Sequence, residues 1–113
     1  MGEQLKEITD ADFEKLVLQA EVPVLVDIFT SWCQPCKILV PVLEKSAERF
    51  AGRIKFLKLN IEGNSAVGIR YRVQAVPTLI LFQNGQEVAR STGLGTDTNN
   101  LLSKELDKYA KNS

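Results

Sequence analysis

The stretch Val22-Pro23-Val24-Leu25-Val26-Asp27-Ile28-Phe29 is rich in β-branched residues and almost continuously apolar. A strand with one wet face alternates apolar and polar residues. A strand that does not alternate is covered on both faces, as in a parallel sheet held between helices. The residues that follow agree with this. Ile38, Leu39, Val42, Leu43, Ala47 and Phe50 recur with a period of about 3.6, so the segment from Cys33 to Ala51-Gly52 reads as an amphipathic helix ending on glycine. Pro41 falls inside it and predicts a kink, because proline gives no backbone donor and crowds the preceding turn. Ile54 to Ile61 reads as the next strand. Strand, crossover helix and strand in that order make a right-handed βαβ unit with parallel strands.

The remaining segments extend this unit. Leu5-Lys6-Glu7-Ile8 alternates and reads as a short edge strand. Thr9-Asp10-Ala11-Asp12 resembles a capping box with Asp12 in the acidic slot. The helix it opens carries Phe13, Leu16 and Val17 and ends near Glu21-Val22-Pro23. Residues 62–65 read as a loop and 66–71 as a short helix. Val76 to Phe82 is a strand with a proline near its start. Asn84-Gly85 then signals a tight hairpin, so Gln86 to Thr92 runs back antiparallel. Gly93-Leu94-Gly95 is a loop, and Thr96-Asp97 caps a last helix through Leu101, Leu102, Leu106 and Tyr109. The order β-α-β-α-β-α-β-β-α predicts an α/β fold, a central mixed five-stranded sheet flanked by four helices. At 113 residues the chain is one domain, residues 1–113, long enough to fold without staples.

Composition removes several functions. Fourteen basic and fourteen acidic residues cancel, which leaves no electrostatic case for nucleic acid or an anionic membrane surface. No apolar run is long enough to span a bilayer. The first residues lack a signal-peptide profile, and Lys6 stands where a myristoylation motif at Gly2 wants Ser or Thr. The expected location is the cytoplasm and the expected state a monomer. In the cytosol thiols are kept reduced, so a close cysteine pair there is more often catalytic or metal-binding than structural.

The chain has two cysteines, both in Trp32-Cys33-Gln34-Pro35-Cys36-Lys37, at the junction of the buried strand and the long helix. A structural zinc site needs four ligands, mostly Cys and His. This chain has no histidine and no acidic residue near the pair, which argues against metal within one chain; an ion shared across a dimer stays open. Covalent haem needs His directly after the second cysteine, where Lys37 stands. A structural disulfide would close a very small loop and constrain the unfolded chain little. A redox dithiol fits best. Cys33 at the helix N-terminus meets unpaired N–H groups and the helix dipole, which favour a thiolate. Cys36, one turn further in, is more shielded. The asymmetry suggests that Cys33 attacks a substrate disulfide and Cys36 resolves the mixed disulfide. Pro35 suits the first helical positions.

Asp27 interrupts the buried strand. A charge there is costly unless paired or neutralised. It is either a solvated strand end or a carboxyl buried behind the dithiol, its pKa raised by desolvation, exchanging a proton with Cys36. Lys58, on the face of Ile54 and Phe56 in the next strand, is its candidate partner.

At these residues the chain resembles the thioredoxin family from about Leu5 to Tyr109. The matching segments are Val26-Asp27, Trp32-Cys33-x-Pro35-Cys36-Lys37, Pro41, Lys58-Leu59-Asn60, Val76-Pro77-Thr78, Phe82-x-Asn84-Gly85 and Gly93. The resemblance implies the thioredoxin fold and reduction of protein disulfides, with a thioredoxin reductase as electron donor and no cofactor beyond the redox-active Cys33–Cys36 disulfide. It implies that Cys33 is the nucleophile, Cys36 the resolving cysteine, Asp27 the buried carboxyl and Lys58 its neighbour. It implies a cis bond at Pro77, facing the dithiol, and places Trp32, Val76 and Gly93 on the substrate-docking surface. Four residues depart from the family's usual pattern: Gln34 for glycine, Phe29 for Trp or Tyr, Ala75 for glycine, and Leu94 for a smaller residue. All four are expected around one face. Gln34 is expected to change the redox potential or the choice of partners.

The leading reading is therefore a cytosolic thiol–disulfide oxidoreductase acting as a reductant. A binding module of the same fold needs none of Cys33, Cys36, Asp27 and Pro77. A disulfide oxidase or isomerase would suit an exported protein.

Overall fold

The structure, a computed structural model, describes residues 5–110; Gly2 lies outside the described residues. The strands are β1 (Leu5–Ile8), β2 (Val24–Phe29), β3 (Lys55–Asn60), β4 (Thr78–Gln83) and β5 (Gln86–Thr92). They form one sheet in the order β1-β3-β2-β4-β5. β1, β3 and β2 are parallel, and β4 and β5 each run antiparallel to their neighbour. The mixed sheet expected from the element order is present. β2, the apolar stretch, lies at its centre with Val24 through Ile28 all buried. The strand starts after Pro23, whose carbonyl accepts the Lys55 N–H at 2.9 Å.

Four helical segments cover the sheet. α1 (Asp10–Phe13) widens into a π-helical turn over Glu14–Leu18, and so stops short of Glu21. The Thr9 N–H donates to the Asp12 carboxylate at 3.0 Å, as the capping signature predicts. α2 (Gln34–Arg49) runs unbroken past Pro41. α3 (Ser65–Arg70) is short, and the Asp10 carboxylate caps its first turn by accepting from the N–H groups of Ala66 and Val67. α4 starts over Thr96–Asn100, widens over Leu101–Glu105 and closes over Leu106–Ala110. Its N-cap is Gly95, not the Thr96-Asp97 pair, so no side chain caps it. Thr98 is buried in its first turn and donates its hydroxyl to the Gly93 carbonyl at 2.7 Å instead.

The sheet divides the core in two. Leu25, Phe56, Leu79 and Leu81 pack against Leu39, Leu43, Leu102 and Leu106 on the side of α2 and α4. Val24, Val26, Ile28, Leu57 and Ile80 pack against Phe13, Val17 and Val67 on the side of α1 and α3. Alternation along β2 decides what matters next: Asp27 shares the parity of Leu25, so its side chain points toward α2. The stripe on α2 is narrower than its periodicity suggests. Leu39, Leu43 and Ala47 are buried, but Ile38 and Val42 are 57% and 46% exposed. At 100° per residue they sit on the shoulder of the stripe, beyond reach of the sheet. The Asn84-Gly85 turn has positive φ at both residues, the geometry that a tight hairpin requires.

Candidate active site

Cys33 is the N-cap of α2, and Gln34 and Pro35 open the helix. Pro35 fits there because the first turn has no intrahelical acceptor for its missing N–H. Cys33 and Cys36 are joined by a disulfide, with Cα atoms 5.3 Å apart. The Cys36 N–H donates to Cys33 Sγ at 3.2 Å. The sulfur thus occupies the capping position of the helix, where backbone donors and dipole stabilise negative charge. The segment entering α2 is pinned twice. The Cys33 N–H donates to the Thr30 carbonyl at 3.3 Å, and the N–H and hydroxyl of Ser31 donate to Glu62 Oε1 at 2.9 and 2.8 Å. These donors, the Ser31 N–H above all, hold the Glu62 carboxyl below its ordinary range.

The two cysteines line different cavities. Cys33 borders an outer groove of about 480 Å³ with Trp32, Gln34, Pro35, Ile61 and Val76. Cys36 borders an inner cavity of about 180 Å³ with Asp27, Phe29, Lys37, Val40 and Lys58. Thr30 lines both. Both cysteines are buried as residues, so it is the side each one faces, more than depth, that separates them.

Asp27 is 1% exposed, which removes the solvated-strand-end reading. Burial lifts its carboxyl from 3.8 to about 7, against the opposing pull of the Lys58 ammonium. Asp27 and Lys58 are direct register partners across β2 and β3. Lys58 Nζ lies 5.5 Å from the centre of the Phe29 ring, a cation–π arrangement that keeps it at the cavity wall. Asp27 Oδ1 has no hydrogen-bond partner among the described residues, and neither does the buried Thr30 hydroxyl.

The Val76–Pro77 bond is cis. Thr78 donates its hydroxyl to the Ala75 carbonyl at 2.7 Å, and the Gly93 N–H donates to the Pro77 carbonyl at 2.9 Å. Gly93 has φ +79°, and a Cβ at this position would meet no atom within 4 Å. Glycine here therefore answers a left-handed turn rather than a close approach. Trp32 is 70% exposed and Val76 partly exposed on the groove. Gly93 joins them through Pro77 and does not line the groove itself. Of the four unusual residues, Gln34 and Ala75 border the groove, Phe29 borders the inner cavity, and Leu94 borders neither. They do not share one wall, because Phe29 and Gln34 lie on opposite sides of the cysteine pair. Among the described residues, no three Cys, Asp or Glu side chains converge as metal ligands do.

A family model described as thioredoxin matches residues 4–108. The chain belongs to the thioredoxin family. Its relatives agree. It is 44% identical to a thioredoxin of Haemophilus influenzae over 76% of this chain and 80% of that one. It is 44% identical to a thioredoxin of Pseudomonas aeruginosa, covering 82% and 86%, and 37% identical to one of Rickettsia felis, covering 89% and 94%. As a thioredoxin-family protein with an intact cysteine pair it is a protein thiol–disulfide oxidoreductase. Among its described residues, no helix is long and apolar enough to cross a membrane.

Sequence reasoning overlooks three contributors: Thr30, the Ser31–Glu62 clamp, and Thr98 behind Gly93. Thr30 acts through its backbone carbonyl and the other two through a hydroxyl or carboxylate, all in a connecting segment or a first helical turn, where no periodicity singles a residue out. The one signal in the chain is Thr30 itself, a polar residue continuing a buried strand.

Proposed function

We propose that this thioredoxin is a single domain over residues 1–113 that reduces disulfides in protein substrates, with Cys33 as nucleophile and Cys36 as resolving thiol. What supports the division of labour is that Cys33 borders the outer groove and Cys36 the inner cavity with Asp27. Cys33 thiolate, stabilised at the helix N-terminus, attacks one sulfur of a substrate disulfide. A Cys33–substrate disulfide forms, and the other substrate sulfur leaves as a thiolate. Cys36 then gives its proton to the Asp27 carboxylate and attacks Cys33 Sγ. The Cys33–substrate bond breaks, the second substrate sulfur leaves with the electron pair, and the Cys33–Cys36 disulfide remains. Two electrons have passed to the substrate. Burial poises Asp27 near neutrality for this transfer, and Lys58 limits how far the carboxyl rises. Trp32, Val76, Gly93 and the cis Pro77 dock the substrate backbone, and Gln34 and Pro35 shape the mouth of the site.

A thioredoxin reductase restores the dithiol. The dithiol itself carries the electrons, so no bound cofactor or metal is required. The protein works as a monomer in the cytoplasm, where the glutathione poise favours reduced thiols, and it contacts neither nucleic acid nor membrane. Insulin reduction tests the assignment. Cys33→Ser abolishes turnover, whereas Cys36→Ser traps a covalent mixed disulfide. Reduction by Cys33→Ser at the wild-type rate would overturn it.

A further inference from the structure

The short helix α3 breaks two local rules, and both breaks lie in one place. Gly68 sits inside the helix, where a residue with a side chain would hold the backbone better. Arg72 sits just past its end with φ +56°, the left-handed conformation that a Cβ disfavours and glycine adopts freely. The turn is well formed: the Arg72 N–H donates to the Ile69 carbonyl at 3.2 Å, and the Val73 N–H to the Gly68 carbonyl at 2.8 Å. The residue types are thus the reverse of what the backbone prefers at each position. Such local conflicts gather where a side chain, or the lack of one, serves a partner.

Both residues line a second groove of about 340 Å³, together with Ile61, Ile69, Val73 and Gln74. Ile61, Val73 and Gln74 also line the outer groove at Cys33, so the two form one continuous depression. Gly68 leaves its floor open: a Cβ there would stand 3.7 Å from the Ile61 Cγ2 methyl and cover it. Ile69 is 75% exposed on the rim, more than Trp32 at the other end. The charged groups around it are engaged, except one. Arg70 lies 5.3 Å over the Tyr71 ring, Arg90 is held by Glu87 and the Tyr71 carbonyl, and Glu62 is held by Ser31. Arg72 has no hydrogen-bond or ion-pair partner among the described residues.

We propose that this second groove is a specificity subsite for protein disulfides: it takes an apolar and an acidic side chain from the segment that follows the cysteine docked at Cys33, and Arg72 selects the acidic one. The inference rests on the reading of Cys33 as nucleophile given above. Continuity with the Cys33 groove lets one extended substrate segment reach both. Ile61, Ile69 and Val73 offer apolar area that the fold leaves uncovered, and an unpaired guanidinium beside them matches a carboxylate, bidentate where geometry allows.

The test uses symmetrical peptide disulfides that carry one leucine and differ at a single residue, Asp, Asn or Lys, scanned two to five places from the cysteine on either side. Reduced protein is mixed with each peptide, and the second-order rate of dithiol oxidation is followed through the fluorescence of Trp32, the chain's one tryptophan. At one or more positions wild type is expected to react about two- to fivefold faster with Asp than with Asn, and slowest with Lys, the size an exposed ion pair gives. High salt narrows the difference. Arg72→Gln keeps the reach and loses the charge, so it should treat Asp and Asn alike; Arg72→Glu should favour Lys. Neutral hydroxyethyl disulfide, too small to reach the groove, should react equally with all three proteins. Wild type without an Asp preference at any position overturns the proposal, as does Arg72→Gln that keeps it. So does a loss that is equal for every peptide and for hydroxyethyl disulfide, since Arg72 would then only support the fold. Cys33→Ser guards the underlying reading: if it still consumes these disulfides, the nucleophile assignment falls, whereas an inert Cys33→Ser beside an indifferent Arg72→Gln removes the subsite alone.

Discussion

At the scale of single residues, the site combines one large exposed side chain with several buried ones. Trp32 is 70% exposed beside Cys33, and its ring offers apolar area that the fold itself leaves uncovered. A ring in that position contributes little to stability and much to docking, since burying it against a partner removes apolar surface from water only in the complex. Trp32→Ala is therefore expected to lower kcat/KM for insulin by about tenfold while leaving the denaturation midpoint unchanged. A small disulfide that covers little of the groove should lose far less. Equal losses for insulin and the small disulfide would mean that Trp32 supports the cysteine geometry rather than the substrate. Glu62 is the counterpart: exposed, yet tied to Ser31 by two hydrogen bonds, so it fixes the segment from which Trp32 projects.

At the scale of elements, the first turn of α2 concentrates the chemistry. Cys33 caps it, Gln34 and Pro35 fill its first positions, and Cys36 sits one turn in. Gln34 is exposed on the groove. Glycine there would raise the conformational freedom of the turn that brings the sulfurs together and remove an amide from the groove. Gln34→Gly is expected to move the dithiol midpoint by tens of millivolts at most, on the scale that separates related oxidoreductases. A titration in glutathione buffers that gives one midpoint for both proteins would remove Gln34 as a tuning residue and leave partner choice as its role. Much of this element is legible from the chain. The apolar run of β2 marks a doubly covered strand, the cysteine spacing marks the junction, and Asn84-Gly85 marks the hairpin. Other parts are not legible. The helical period does not say how wide a stripe the sheet will cover, so Ile38 and Val42 fit the pattern yet lie exposed. Capping signals compete locally, so Gly95 caps α4 while Thr98, three residues on, turns its hydroxyl back to Gly93. The widened turns in α1 and α4 carry no sequence mark comparable to a proline or glycine. Nearness to motifs groups the four unusual residues along the chain, and only three dimensions separate Phe29 from Gln34.

At the scale of the molecule, the sheet carries an ionisable group in its central strand, and the whole fold bears the consequence. Asp27 lies on the face of Leu25, beneath α2, with its carboxyl raised from 3.8 to about 7 chiefly by burial. The sign of the effect on stability follows from which state holds the proton. Below about pH 4 both folded and unfolded chains carry a protonated Asp27, and the group adds no penalty. Between about pH 4 and 7 the unfolded chain has lost the proton while the folded protein keeps it. The folded state binds more protons over that range, so its stability falls as pH rises and levels off above about 7. The full fall is on the order of 4 kcal/mol, a sizeable share of a small domain's stability. Asp27→Asn has no such titration. Urea denaturation of both proteins from pH 4 to 8 should show the variant gaining on wild type through that window and exceeding it above pH 7. A difference independent of pH would mean that Asp27 ionises as freely in the fold as in the unfolded chain, and a carboxyl that does so is a poor proton acceptor for Cys36. The same burial that weakens the protein at neutral pH is what holds the carboxyl close to the pH at which the resolving thiol must give up its proton.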